Sequence, residues 1–323
     1  MFIVKMSTVV ESLVEKAKEL GSGCDKVFVA VSGGVDSAVV LMILIEAFGA
    51  DKVVGLFRNI KNKPGHREDV LALNNHFPFH LLDIDANNLY EEFLARCKES
   101  FLNSGLPWYD EGSDEALDHH WNNAYASLKS RFTTPMAGFI SKAIDDGRGR
   151  IFGTGNAEED VLLRYFDKYG DGAVDNNIIN GLTKCEVRQL ALYFSRKYQC
   201  QVLQKIAYKL PSADLYGTGD AHNDEAELSS WAKAMGYNLS LSYGSPQQEG
   251  NIAWVLKQNM DRGIVDGVHE NTSLSELKKL YSYSDEEIQL IDVIRRLEKN
   301  SRHKVLSPPG LPRRELRELG VVD

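Results

Sequence analysis

The stretch Lys26-Val27-Phe28-Val29-Ala30-Val31-Ser32-Gly33-Gly34-Val35-Asp36-Ser37 decides the fold. Its first six residues are almost wholly apolar, as a strand covered on both faces must be. A paired-glycine turn follows, and then an apolar run from Ser37 to Phe48 that is long enough for a helix. Strand, turn and helix in this order predict one unit of a parallel α/β sheet with its loop at the carboxyl end of the strand.

The pattern repeats outward from this unit. Lys52–Phe57, Phe79–Ile84 and Arg150–Gly153 read as strands, and Glu68–Asn75, Asn88–Glu99 and a long Asn123–Ile144 segment read as helices. Upstream, Thr8–Glu19 reads as a helix ended by Gly21, with Thr8 and Glu11 as a capping box. Downstream, Asp285–Lys299 reads as a helix capped by Ser284 and Glu287. The alternation predicts a doubly wound parallel sheet, one domain over residues 1–323 with a helical C-terminal segment at about 272–323. Two Gly- and Pro-bearing stretches, at about 101–122 and 239–268, read as inserted loops.

Composition narrows the function. The 323 residues carry a formal charge of −9, with 43% apolar residues and a pI near 5.5, which disfavours binding to long nucleic acid. Cys24, Cys97, Cys185 and Cys200 form no CxxC pair, so neither zinc nor a disulfide framework is indicated. No apolar run approaches the ~20 residues that span a bilayer. These features predict a cytoplasmic protein that needs no membrane.

In the loop Ser32–Ser37, glycines let backbone N–H groups approach an anion, and the next helix adds its positive end. Asp36 would repel a bare phosphate, so its place there makes sense when it holds a divalent cation. A glycine pair alone is more often a tight turn. The whole string SGGVDS, however, matches the PP-loop signature of the ATP-pyrophosphatase superfamily (adenine nucleotide alpha hydrolase-like), and no GKS or GKT follows it as in a Walker loop.

A second cluster, Gly153-Thr154-Gly155-Asn156-Ala157-Glu158-Glu159-Asp160, precedes Tyr165-Phe166-Asp167-Lys168-Tyr169-Gly170-Asp171-Gly172-Ala173-Val174-Asp175. Together with Leu182-Thr183-Lys184, Val187-Arg188, Pro211-Ser212-Ala213-Asp214-Leu215, Asp224-Glu225 and His303-Lys304, this closely resembles the NAD synthetases, in the family's order, from roughly Lys26 to Pro309. The resemblance implies ATP-dependent adenylation of the nicotinate carboxylate of deamido-NAD, then displacement of AMP by ammonia.

Carried over by position, Ser32, Gly33, Gly34, Val35, Asp36 and Ser37 would hold the ATP phosphates, joined by Arg58, Thr154 and Lys184. Asp36, Glu159 and Ser212 would serve Mg²⁺. Arg131, Lys168, Asp175, His303 and Lys304 would contact deamido-NAD, and Asp171 would lie between the two substrates, acting in catalysis with Asp36, Ser37 and Lys184. By the same analogy the protein would be a homodimer. Free ammonia is the expected donor, because no amidotransferase domain of ~200 residues fits beside this core; a separate glutaminase partner is compatible with that.

The chain departs from the family at Ser127 and Thr133, where an asparagine and a second arginine are usual, and at Arg164, where a glycine precedes the Tyr-Phe pair. Pro135 falls within the same predicted helix as Ser127 and Thr133. Two other readings stand beside this one: a divergent PP-loop ligase for another carboxylate, and a nucleotide-binding relative without turnover. The pair His119-His120 reads as loop surface rather than as a metal site.

Overall fold

A computed structural model describes residues 5–212, 223–306 and 313–318. The sequence readings at Ala213-Asp214-Leu215 and in the terminal stretches 307–312 and 319–323 lie outside the described residues.

In chain order the elements are α1 (Met6–Leu20), β1 (Val27–Ala30), α2 (Val35–Phe48), β2 (Val53–Asn59), α3 (Pro64–His76), β3 (His80–Asp85), α4 (Asn87–Asn103), the short α5 (Asp114–Asp118), α6 (Trp121–Ala143) and β4 (Arg150–Phe152). A single π-helical turn (Ala157–Leu163) follows, then α7 (Lys184–Tyr198), α8 (Gln201–Ala207), α9 (Asp224–Ala234), α10 (Asn251–Arg262), α11 (Leu274–Tyr281), α12 (Asp285–Ser301), a 3₁₀ turn (Arg302–Lys304) and α13 (Arg313–Glu318).

The four described strands are parallel, in the order β3-β2-β1-β4. Successive strands move outward from β1 to β3, and the chain then crosses back to lay β4 on the other side of β1. Loops leaving β1 and β4 therefore diverge at one point on the carboxyl edge, the place where such sheets bind ligands.

Alternation along the strands covers both faces of the sheet. Val27, Val29, Val31, Val53 and Phe57 join the core formed with α1, α2, α7 and α8. Phe28, Val54 and Leu56 face the opposite way, against Ala137 and Ile140 of α6. Helix α2 is buried without a break from Ser37 to Leu44, as expected of a helix apolar all round. A second core gathers the π-turn residues Leu162 and Leu163 and the loop residue Tyr243 with Leu228, Val255, Leu277, Ile291 and Ile294 of the C-terminal helices.

Two readings need correction. The Thr8–Glu11 capping box does not form: α1 begins at Met6 after Lys5, with no side-chain cap. Met6 and Val9 pack on the core, so burial of an apolar face extends the helix past the polar cap signal. The stretch 239–268 is not all loop, because Asn251–Arg262 is a helix that buries Ile252, Ala253, Val255 and Leu256; flanking Gly250 and Gly263 punctuate it. The helix predicted over Asn123–Ile144 is borne out as Trp121–Ala143, with Pro135 inside it.

Candidate active site

At the β1/β4 switch point the loops enclose a cavity of about 260 Å³. Ser32, Gly34, Val35, Asp36 and Ser37 line it from the β1 side, and Thr154, Glu159 and Asp171 from the β4 side, with Arg58, Lys184 and Ser212 completing the wall.

The phosphate loop is held by its own hydroxyls. Ser37 Oγ donates to the Gly34 carbonyl (3.1 Å) and accepts from the Ser32 N–H (3.2 Å), while Gly34 N–H donates to Ser32 Oγ (3.2 Å). Gly33 has φ +80°, and a Cβ there would stand 2.6 Å from the His66 carbonyl. The turn thus needs glycine for its backbone conformation and for the approach of α3. Lys209, from the segment after α8, donates to the Gly33 carbonyl (3.1 Å).

The charged centre is assembled across the switch point. Asn156 caps the π-turn, its Oδ1 accepting from the Glu158 and Glu159 N–H groups (3.0 and 3.1 Å). Its Nδ2 is then free to donate to Glu159 Oε2 (2.7 Å) and to Asp36 Oδ1 (3.1 Å). Lys184, at the start of α7, brings Nζ to 2.6 Å from Asp36 Oδ2 and 2.7 Å from Glu159 Oε1. One buried ammonium therefore stands between two carboxylates that arrive from different loops.

Electrostatics follow from burial. Burial would lower the Lys184 pKa, but Asp36 and Glu159 outweigh it and hold the ammonium well above its usual value. Burial pushes the Glu159 carboxyl up, against the pull of Lys184. Glu158 is fully buried and is raised by burial to about 8, although its Oε2 accepts the Lys184 N–H. Asp160 is raised, again mainly by burial, to about 7.

The residues expected to meet deamido-NAD are placed differently. Arg131, Lys168, Asp175, His303 and Lys304 lie off the cavity wall and are committed to one another's segments. Arg131 pairs with Asp167 (3.1 Å). Lys168 Nζ donates to the carbonyls of His303 (3.0 Å) and Leu306 (2.6 Å), and Lys304 Nζ to that of Arg164 (2.8 Å). Asp175 accepts the Ile151 N–H of β4 (2.8 Å). Asp171 accepts from Ser130 Oγ (2.9 Å) and the Asp167 N–H (2.8 Å). Arg58 lines the cavity but gives a guanidinium N–H to the Lys129 carbonyl.

Two departures acquire physical reasons. Arg164 has φ +51°, the left-handed conformation that glycine adopts freely; its buried guanidinium pairs with Glu298. Ser127 Oγ donates to Asp167 (2.8 Å), so the hydroxyl takes part in holding the 165–175 loop. Of the histidine pair, His119 stacks on Tyr109 at 4.3 Å.

Asn156, Lys209 and Tyr243 join the site without having been singled out. Asn156 stood in the quoted Gly153–Asp160 string, and its capping role was open to reading there. The other two come from distant segments and carried no local signal.

A parallel sheet with a PP-loop at its switch point, facing two carboxylates and a lysine, defines a nucleotide-dependent enzyme of the PP-loop superfamily. Over residues 4–282 the chain matches the NAD synthase family, to which it belongs. It is 29% identical over 290 residues to the NH(3)-dependent NAD(+) synthetase of Methanosarcina acetivorans, covering 89% of this chain and 90% of that one. The relative from Methanococcoides burtonii, of the same name, is 30% identical over 210 residues, 64% and 68% of the two chains. Among solved structures, the NMN synthetase of Francisella tularensis superposes with TM-score 0.64 at 19% identity, over 95% of this chain and all of that one. The NH3-dependent NAD synthetase of Campylobacter jejuni superposes with TM-score 0.59 at 18% identity, over 96% and 100%.

Proposed function

We propose that this enzyme amidates deamido-NAD to NAD, using ATP to adenylate the nicotinate carboxylate and ammonia to displace AMP. The observation that carries the reading is the meeting of Asp36, Glu159 and Lys184 beside a PP-loop, in a chain of the NAD synthase family.

The donor set fits Mg²⁺. Asp36 and Glu159 offer hard oxygen atoms around a point where the Lys184 ammonium offsets part of their charge, and magnesium characteristically uses one or two carboxylates with substrate phosphates and water. Bound there, with Ser212 beside it, the ion would neutralise phosphate charge. The protein's own groups do the rest. The β1 loop presents backbone N–H groups to the phosphates, and Thr154 faces the nucleotide from the β4 side. Lys184 carries positive charge toward the pyrophosphate as the α–β bond breaks and the carboxylate oxygen bonds to the α-phosphorus. The resulting acyl adenylate has AMP as its leaving group, which hydroxide or oxide could not match. Ammonia adds to the carbonyl carbon and AMP departs.

Lys168, Asp171 and Asp175 lie in the segment that follows the π-turn, and with Arg131, His303 and Lys304 form the dinucleotide side in this reading. Ammonia as donor agrees with the names of the curated relatives. The protein is proposed to be a cytoplasmic homodimer; no described helix is long and apolar enough to cross a membrane.

The test is an assay of AMP, pyrophosphate and NAD from Mg-ATP and ammonium chloride, with deamido-NAD, with nicotinate mononucleotide and with neither. NAD formed in step with AMP is the expected result. AMP formation with the mononucleotide alone moves the substrate to the smaller carboxylate, and no product with either overturns the activity.

A further inference from the structure

Lys184 meets a third neighbour besides its two carboxylates. The ring of Tyr243 lies under the ammonium, with its centroid 5.5 Å from Nζ. Tyr243 is fully buried, and its hydroxyl has no hydrogen-bond partner among the described residues. The group it offers the site is therefore the aromatic face.

The local chain is built to hold that ring. Tyr243 N–H and Ser242 Oγ both donate to Glu225 Oε1 (2.7 and 3.0 Å). Gly244 follows at φ +81°, where a Cβ would stand 2.2 Å from the Gln248 carbonyl. Arg188, one turn beyond Lys184 on α7, donates to the Gly244 carbonyl (2.6 Å), and Gln189 to that of Pro246 (3.2 Å). The segment bearing the ring is thus fastened to the helix bearing the lysine.

We propose that Tyr243 is a positioning residue, whose ring keeps the Lys184 ammonium in place when Asp36 and Glu159 turn to the metal. This rests on the ATP-dependent reaction proposed above. A buried ammonium that lost both ion pairs would be drawn out of position toward other polar groups. A third carboxylate could hold it, but would compete for the metal and repel phosphate. An aromatic face attracts a cation by its quadrupole, cannot ligate magnesium and adds no net charge.

The experiment replaces Tyr243 with leucine, phenylalanine and a series of ring-fluorinated phenylalanines, which weaken the ring's pull on a cation at nearly constant size. In the AMP assay, Tyr243→Leu is expected to lower kcat by about 2- to 30-fold, the range of a cation–π contact, with a smaller change in the KM for ATP. Tyr243→Phe should recover what leucine loses, and log kcat should fall with each fluorine. A fluorine series flat in kcat overturns the proposal, because a ring that merely fills space would give that result.

A second measurement needs no turnover. Urea unfolding of the same series is expected to show fluorine dependence with Lys184 present and none in a Lys184→Met background. Fluorine dependence that survives Lys184→Met overturns the contact itself. A wild type that makes no AMP sinks the proposed reaction and leaves this stability test standing.

Discussion

In the proposed function Asp36 and Lys168 have two different tasks. Asp36 touches the Lys184 ammonium and the Asn156 amide on the cavity wall, whereas Lys168 ties the loop after the π-turn to the C-terminal turn. Asp36→Ala is expected to lower AMP formation by about 10²-fold or more, the scale seen when one preorganised electrostatic group is removed from a reacting centre. Lys168→Ala should instead raise the KM for deamido-NAD by roughly tenfold, the equivalent of one charge-assisted hydrogen bond, and leave ATP binding near wild type. Isothermal titration with ATP and steady-state kinetics with deamido-NAD separate the two; equal loss of ATP binding in both variants refutes the division.

Between elements, the joint that matters most connects the π-turn to α12. Glu298 is almost completely buried and receives Arg164 from the π-turn, and Arg302 at 2.8–3.0 Å from the following turn. Burial alone would raise its pKa, but the two guanidinium groups outweigh burial and hold it below the usual carboxylate range. A folded-state pKa below the unfolded one gives stability that is present above the unfolded value, about 4.3, and is lost as pH falls through the folded value. Glu298→Gln should therefore be less stable than wild type at pH 7, with the gap narrowing as pH falls below about 4.3. Urea unfolding at several pH values checks this, and a gap independent of pH would show that the carboxylate charge is not what the arginines hold. The same joint explains Arg164: a left-handed residue that closes the π-turn would ordinarily be glycine, and here the side chain's ion pair offsets the backbone strain.

On the scale of the whole molecule, α4 and α6 leave apolar side chains in water. Phe139 is 73% exposed and Phe93 45% exposed, and Phe93 packs edge-on against Phe132, two turns before Phe139 on α6. Exposed apolar side chains such as these are ones that the homodimer proposed above would cover. Phe139→Glu is expected to shift sedimentation from dimer to monomer while the far-ultraviolet circular dichroism is unchanged. A wild type that sediments as a monomer sinks the proposal.

The sequence by itself determined the parallel α/β order, the phosphate loop and the family, because each depends on contiguous residues. An apolar strand, a glycine turn and a helix start must be neighbours in the chain to work, and SGGVDS keeps its meaning wherever the rest of the chain goes. It was also enough for the cap of α12, where Ser284 and Glu287 close a local ring of hydrogen bonds. Tertiary structure alone decided which charges meet. Asp36 and Glu159 share Lys184 only because β4 pairs beside β1, and Tyr243 reaches the same ammonium only because Arg188 and Gln189 draw its segment onto α7. It also separated the cavity-lining residues of the β1 and β4 loops from Arg131, Lys168, Asp175, His303 and Lys304, which bind neighbouring segments. Coulomb attraction and burial act through space, so residues far apart in sequence acquire a common role only after the sheet has placed them.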